Sequence, residues 1–341
     1  MIVDMHCHII TEEMIRLMQG VSKEYAPLLE ARGEPYPSGL TQSSRGYVLG
    51  APGEGHGGPW PESGHNVELR LRDMERTGVD CQAVAPWPRM FFIYDIPKQV
   101  AVEFAKIHNE EAAKLKRDHP GKFAPLATVP LQDGQAAADE LERAVKQLGL
   151  HGLATGTSCG AKPLDAEHLE PLYAKLNELN VPWFIHSYGA VSTPEFGKYY
   201  LNNFIGNPLE TTIAVCSLIF GGVIERYPNI RCWTPHAGGY VPFQFGRYDH
   251  GYEWRPEPKA IIKKKPSEYL YAFKFDIIAH SKPALNYLVQ AFGSERVYLG
   301  TDYPFDMGVA DPIGAIEAIE TTDEAGRALI RGGNAEAALR L

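Results

Sequence analysis

His6 and His8 stand one residue apart near the start of the chain, with Asp4 just before them. In an extended strand, side chains at i and i+2 point to one face, so the two imidazoles lie side by side. Such a pair is half of a metal site. Imidazole suits Zn, Fe, Ni or Cu, and a mononuclear catalytic centre needs one or two further ligands plus an open position. Further along, three residues share one sequence context. His186 follows Pro182-Trp183-Phe184-Ile185, His236 follows Cys232-Trp233-Thr234-Pro235, and Asp302 follows Tyr298-Leu299-Gly300-Thr301. Each comes after an apolar run and before a turn or loop. A single histidine in such a place is more often a hydrogen-bonded core residue. Five candidate ligands or bases, all at strand ends, point to a metal centre assembled from several strands.

The elements that must position these residues follow a regular alternation. After the first strand (2–8), strands are predicted at 79–85, 123–129, 152–155, 182–186, 230–234, 271–276 and 297–300. Amphipathic helical patterns at 67–77, 96–119, 135–148, 164–179, 209–226, 283–292, 312–320 and 323–331 separate or follow them. Alternating strands and helices imply a parallel sheet, and eight units over this length suit an α/β fold of the (β/α)8 TIM-like barrel type. A doubly wound open sheet is the alternative, but no Gly-rich phosphate-binding turn follows any strand. Barrel chemistry sits at the C-terminal ends of the strands, where the five candidates fall. Residues 33–65 are rich in Gly, Pro and Ser and show no helical or strand period, so residues 9–65 read as a long Gly/Pro-rich insertion after strand 1, a loop or substrate cap. With no linker and no internal repeat, residues 1–341 read as a single barrel domain.

Composition narrows the function. The chain has 341 residues, 44% hydrophobic and 22% charged, with a formal charge of −9. Those values are those of a globular protein without the basic footprint that nucleic acid or an anionic membrane requires. Five scattered cysteines, odd in number and without CxxC spacing, fit a reducing compartment, and Cys7 should turn away from its flanking histidines into packing. Asp4 and the histidines interrupt any leader-like apolar run, and no stretch is long enough to span a bilayer, so a cytoplasmic protein is expected. Of the other histidines, His108, His119 and His168 on helical patterns are expected to be solvated.

At this point the pattern resembles a known family. Asp4-Met5-His6-Cys7-His8, Gly78-Val79-Asp80, Val129-Pro130-Leu131-Gln132-Asp133, His236-Ala237-Gly238-Gly239, Gly246-Arg247 and Leu299-Gly300-Thr301-Asp302-Tyr303-Pro304-Phe305 occur in order across the chain. They resemble the amidohydrolase superfamily, in its branch of metal-dependent decarboxylases typified by aminocarboxymuconate-semialdehyde decarboxylase. The resemblance implies that His6, His8, His186 and Asp302 hold one divalent metal ion, usually Zn, with Mn, Co or Fe also fitting. It implies that His236 is the catalytic histidine; Asp302, as a ligand carboxylate, is positioned to share the proton work. It further implies that Arg247 reaches a neighbouring subunit's pocket to bind substrate carboxylate, making the active unit a homodimer or higher homo-oligomer. The binuclear branch carries a bridging lysine at the end of strand 4; Leu153-Ala154-Thr155-Gly156 has none, which favours one metal.

One departure concerns the family's second carboxylate-binding arginine. The comparable stretch is Gly57-Gly58-Pro59-Trp60, and Arg45 is displaced from it, while Arg89 in the loop after strand 2 offers a charge from another direction. Trp60, Trp87, Phe92 and Phe305 are candidates for packing an aromatic or conjugated substrate. The activity expected is therefore non-oxidative decarboxylation of an aromatic or muconate-like carboxylic acid, with a small-molecule carboxylate as substrate. The alternative is a hydrolase or hydratase of the same superfamily, using the same residues to attack a carbonyl or alkene with water.

Overall fold

The structure, a computed structural model, describes residues 1–31, 47–50, 58–59, 61–92, 94–191 and 193–341. Trp60 and Arg45, both named above, lie outside the described residues. Eight strands form the barrel: β1 Val3–Ile9, β2 Cys81–Pro86, β3 Leu126–Ala127, β4 Gly152–Gly156, β5 Pro182–His186, β6 Arg231–Thr234, β7 Phe273–Asp276 and β8 Val297–Tyr298. Neighbours from β3 to β8 pair in chain order and in parallel, as do β1 and β2. Backbone hydrogen bonds close the remaining gaps. Met5 and His8 N–H donate to Leu299 and Tyr303 carbonyls at 2.9 and 2.8 Å, and Gln82 N–H donates to Lys122 O at 3.0 Å. The ring of eight predicted from alternation is thus complete.

Helices pack outside the strands, and their ends follow from local chemistry. Asn66 caps Val67–Thr77 by accepting from Leu69 N–H at 3.1 Å, and Gly78 ends it at φ 75°, a left-handed backbone that glycine adopts without Cβ strain. Asp133 caps Gly134–Lys146 in the same way, accepting from Ala136 N–H at 2.9 Å. The pattern read over 209–226 divides into Asn207–Phe220 and Val223–Arg226, because Gly222 at φ 70° breaks the helical run. The helix anticipated from 164 starts only at Glu170.

Several helices among the described residues were not anticipated. Glu12–Val21 starts at an N-cap Thr11, and Val241–Trp254 carries Gly246 and Gly251, which lower its intrinsic propensity. The others, Pro88–Phe91, Pro256–Lys259 and Asn334–Leu339, are short. In the 33–65 stretch, where no strand period is visible, Tyr47–Gly50 pairs antiparallel with Leu28–Ala31 and with Gly58–Pro59.

Candidate metal centre

The first strand does not alternate simply. Its register to β2 shifts between Asp4 and Cys7, so that Asp4 pairs with Gln82 and Cys7 with Val84. That bulge places one extra residue on β1. Asp4 and Cys7 therefore share the outer face, where Cys7 packs with Met74, Val79 and Val84, while His6 and His8 meet inside the barrel. Cys7 turns away from the histidines as expected. Asp4 instead fixes the strand from behind, accepting from His6 N–H at 3.1 Å, Thr301 N–H at 3.0 Å and the Thr301 hydroxyl at 2.6 Å.

Inside, one ligand atom each from His6, His8, His186 and Asp302 comes together, all within 4.8 Å of one another and all four residues buried. Asp302 Oδ1 lies 3.1 Å from His6 Nε2 and 3.3 Å from His8 Nε2. Each imidazole is oriented from its other nitrogen. His6 Nδ1 donates to Asp276 Oδ2 at 2.7 Å, His8 Nδ1 to Pro86 O at 2.9 Å, and His186 Nδ1 to Ser187 O at 2.5 Å. With Nδ1 carrying the proton, each Nε2 turns a lone pair toward the common centre. In that neutral tautomer, His186 Nε2 and Asp302 Oδ1 are buried there without any hydrogen-bond partner. Buried orphaned acceptors are costly, and a cation among them satisfies both. The donor set, three imidazole nitrogens and a carboxylate, therefore fits a divalent metal ion.

His236 stands beside this set. Its Nε2 is 3.6 Å from Asp302 Oδ2, and its ring centroid is 5.6 Å from that of His6 and 5.5 Å from that of His186. Its backbone has φ 55°, Ala237 follows at φ 54°, and Asp302 itself has φ 59°. Non-glycine residues hold this left-handed conformation only where surroundings impose it. Asp276 imposes it on the first two: its Oδ2 accepts from His236 N–H at 3.1 Å and its Oδ1 from Ala237 N–H at 2.8 Å. One carboxylate therefore orients His6 and sets the turn that presents His236. Asp276 escaped the sequence reading, although it ends the run Phe273-Lys274-Phe275-Asp276 just as His186 ends its own strand. Replacing it with asparagine leaves one carbonyl oxygen for four N–H donors, Ile278 N–H being the fourth. Asp276→Asn is expected to weaken metal binding by roughly 10–100-fold, measured by competition with a chromophoric chelator. Unchanged affinity would remove Asp276 from this role.

The charges in the cluster are strongly coupled. Burial disfavours a charged His6, yet the Asp302 and Asp276 carboxylates outweigh it and lift its pKa to about 10. Burial and the neighbouring imidazoles push His186 well below its usual value, and burial lowers His8. For Asp302 burial works upward, but His6, His236 and His8 hold it well below the carboxylate range. Without a cation, then, Asp302 is ionised and His6 carries a proton at neutral pH. A metal must displace that proton, so affinity should rise with pH up to about 10, where His6 loses the proton unaided. Calorimetric titration of metal-depleted protein at pH 7.5, in buffers of different ionisation enthalpy, should show about one proton released per ion. No release would contradict this charge state.

The other candidates are placed as follows. Trp87 and Phe305 pack edge to face at 4.7 Å, and Phe305 lies 5.4 Å from the His8 ring, forming an aromatic wall against the cluster. Phe92 is buried core beside Tyr94 and Tyr188. Arg89 is exposed, its Nη2 3.7 Å from where a Cβ on Gly189 would stand, which sets it beside the loop after His186. Arg247 is exposed on Val241–Trp254 and makes no hydrogen bond or ion pair with the described residues, so the structure does not bring it to the cluster. His108 is a correction: it is fully buried, its ring bonded to Leu126 O at 3.1 Å, and His168 bonds Leu131 O at 3.0 Å. His108 packs inward because its helix turns that face to β3, while the partly buried His168 ties its short helical turn to the loop after β3. Glu210, which has no sequence signal, is buried and orders the loop after His186 by accepting from Tyr188 and Val191 N–H, each at 3.0 Å.

With this geometry in hand, comparison with known proteins is direct. A family model described as amidohydrolase matches residues 3–341. The chain belongs to the amidohydrolase family. It is 35% identical over 269 residues to 2-amino-3-carboxymuconate-6-semialdehyde decarboxylase of Dictyostelium discoideum, covering 79% of this chain and 75% of that one. It is 28% identical to gamma-resorcylate decarboxylase of Rhodococcus jostii (strain RHA1), covering 71% and 74%. Among solved structures, 5-carboxyvanillate decarboxylase of Novosphingobium aromaticivorans, with bound manganese and 3-methoxy-4-hydroxy-5-nitrobenzoic acid, superposes with a TM-score of 0.81 at 22% identity. That match covers 100% of this chain and 97% of the other, and it shares the fold of this family member.

Proposed function

We propose that this amidohydrolase is a metal-dependent decarboxylase of an aromatic or conjugated carboxylic acid. The observation that carries the reading is the buried three-histidine, one-aspartate set with His236 beside it, in a chain whose more similar relatives include decarboxylases. His6, His8, His186 and Asp302 would hold one divalent ion, and zinc is our choice for it. The ion would act as a Lewis acid, stabilising negative charge on a substrate oxygen as CO2 departs.

The chain's own residues supply the rest. Loss of CO2 leaves a carbanion-like carbon that must gain a proton, and His236 is assigned that transfer because its Nε2 stands at the cluster's edge while its side chain stays 16% exposed. Asp302, 3.6 Å from that nitrogen, orients the imidazole and shares its proton. Trp87 and Phe305 would pack the flat face of the substrate, which suits an aromatic or diene acid. The leaving carboxylate needs a cation: Arg89 stands near the mouth, and Arg247 of the partner subunit is the second assignment. Phe243, 78% exposed on the same helix as Arg247, supports burial of that helix in a homodimer.

The test joins metal analysis to a CO2-release screen of carboxylated aromatics and muconate semialdehydes, with sedimentation of the same preparation. About one metal per chain, CO2 release and a dimer are expected. A metal-loaded protein that hydrates or hydrolyses a substrate without releasing CO2 would replace this reading with the hydratase or hydrolase one. An active monomer would remove Arg247 from the site.

A further inference from the structure

The opposite end of the barrel holds a second polar cavity, of about 270 Å³, among the first residues of β5 to β8. Side chains two apart on a strand share a face. Lys274 is two before Asp276, which faces the metal cluster, and Arg231 is two before Trp233, whose ring stacks on Phe184 at 4.8 Å. Both cations therefore point into the barrel one layer beneath the cluster's floor. With Arg340 they line the cavity, and no aspartate or glutamate lines it.

None of the three cations forms an ion pair with a described residue. Arg231 donates to the Pro228 and Ile230 carbonyls at 2.7 and 2.9 Å, and Arg340 to Asn180 O at 2.9 Å. The Lys274 ammonium makes no hydrogen bond with the described residues and lies 4.9 Å from the centre of the Tyr298 ring. Burial pushes its pKa down, the Glu295 charge works against that, and the Arg296 and Arg231 charges add to the fall. Trp233, 1% exposed and lining the same cavity, has a buried indole N–H without an acceptor. Lys274 is half-buried, and Arg231 and Arg340 are exposed at the cavity's rim. Gathered with no carboxylate in the lining they repel one another, and a buried donor without an acceptor is costly. A bound anion resolves both.

We propose that this cavity binds a small multivalent oxyanion of the phosphate type, free or as a monoester, held by Lys274, Arg231 and Arg340. Tyr271 and Tyr298 give it an aromatic lining that accommodates a small organic group on the ester. The site lies outside the catalytic assignment above and does not depend on it.

Calorimetric titration of the metal-loaded protein with inorganic phosphate, and separately with phenyl phosphate, tests the proposal. Saturable binding is expected to one of them, the tighter ligand distinguishing the free anion from the ester. Lys274→Met should weaken it by about tenfold or more, the scale of one charge-assisted hydrogen bond. Arg340→Gln, on an exposed C-terminal residue, should weaken it severalfold and guards against a folding defect in the strand variant. His186→Ala, at the other end of the barrel, should leave it unchanged. Absence of saturable binding would overturn the proposal, as would binding that survives both cavity substitutions and disappears in His186→Ala, since the anion would then be seated at the metal.

Discussion

His186→Ala is expected to yield a folded protein that retains little or no metal and releases CO2 at a correspondingly small rate. The imidazole ends β5, a strand paired on both sides, with Trp183, Phe184 and Ile185 fully buried, so the backbone that carries it has little reason to move. Its loss removes one of four donors. The three that remain are two imidazoles from one strand and a carboxylate, with no described residue besides His236 near enough to take the vacated position. Removing an outer hydrogen bond from a metal-binding histidine costs roughly 10–100-fold in affinity, so loss of the ligand itself should exceed the upper figure. Metal per chain after gel filtration, with circular dichroism to verify folding, is the measurement. Full occupancy in the folded variant would sink the ligand assignment for His186.

Much of this centre is legible in the sequence because barrel strands end where chemistry begins. His6, His8, His186, His236 and Asp302 each follow an apolar run, and eight such runs with helices between them imply the ring. What stays hidden depends on residues distant in the chain. Asp276 bonds His6 across 270 positions, and Asp4 bonds Thr301 across 297. No local period records such partners. Arg70 offers a clearer case. It occupies a helix pattern as any surface arginine would, yet it is buried, donating to Gln82 Oε1 at 2.9 Å and to the His8 carbonyl while its guanidinium sits 4.7 Å over the Tyr303 ring. A buried guanidinium is stable only with such partners, and they become visible only when β1, β2 and the loop after β8 are assembled. The bulge in β1 is hidden for a related reason: strict alternation would put Asp4 beside His6 and His8, and only pairing with β2 shows that it faces the other way.

His236→Asn separates catalysis from metal binding. Asparagine tolerates the left-handed backbone that this position adopts at φ 55° better than most residues, so Asp276 should keep its bonds to the turn. The amide has no nitrogen that takes up and returns a proton. General acid–base groups contribute about 10²–10⁴-fold, so kcat should fall by that amount. Metal content should stay near one per chain, because His236 lies outside the set of four whose donor atoms converge. A substrate held by the ion and the aromatic wall should keep a KM close to the parent value, and the pH profile of kcat should lose the limb that reports the proton donor. Each departure is informative. A near-parental kcat would exclude His236 from the proton transfer, and a parallel loss of metal would make it a fifth ligand. A raised KM with unchanged kcat would assign it to substrate binding and take the proton transfer away from it.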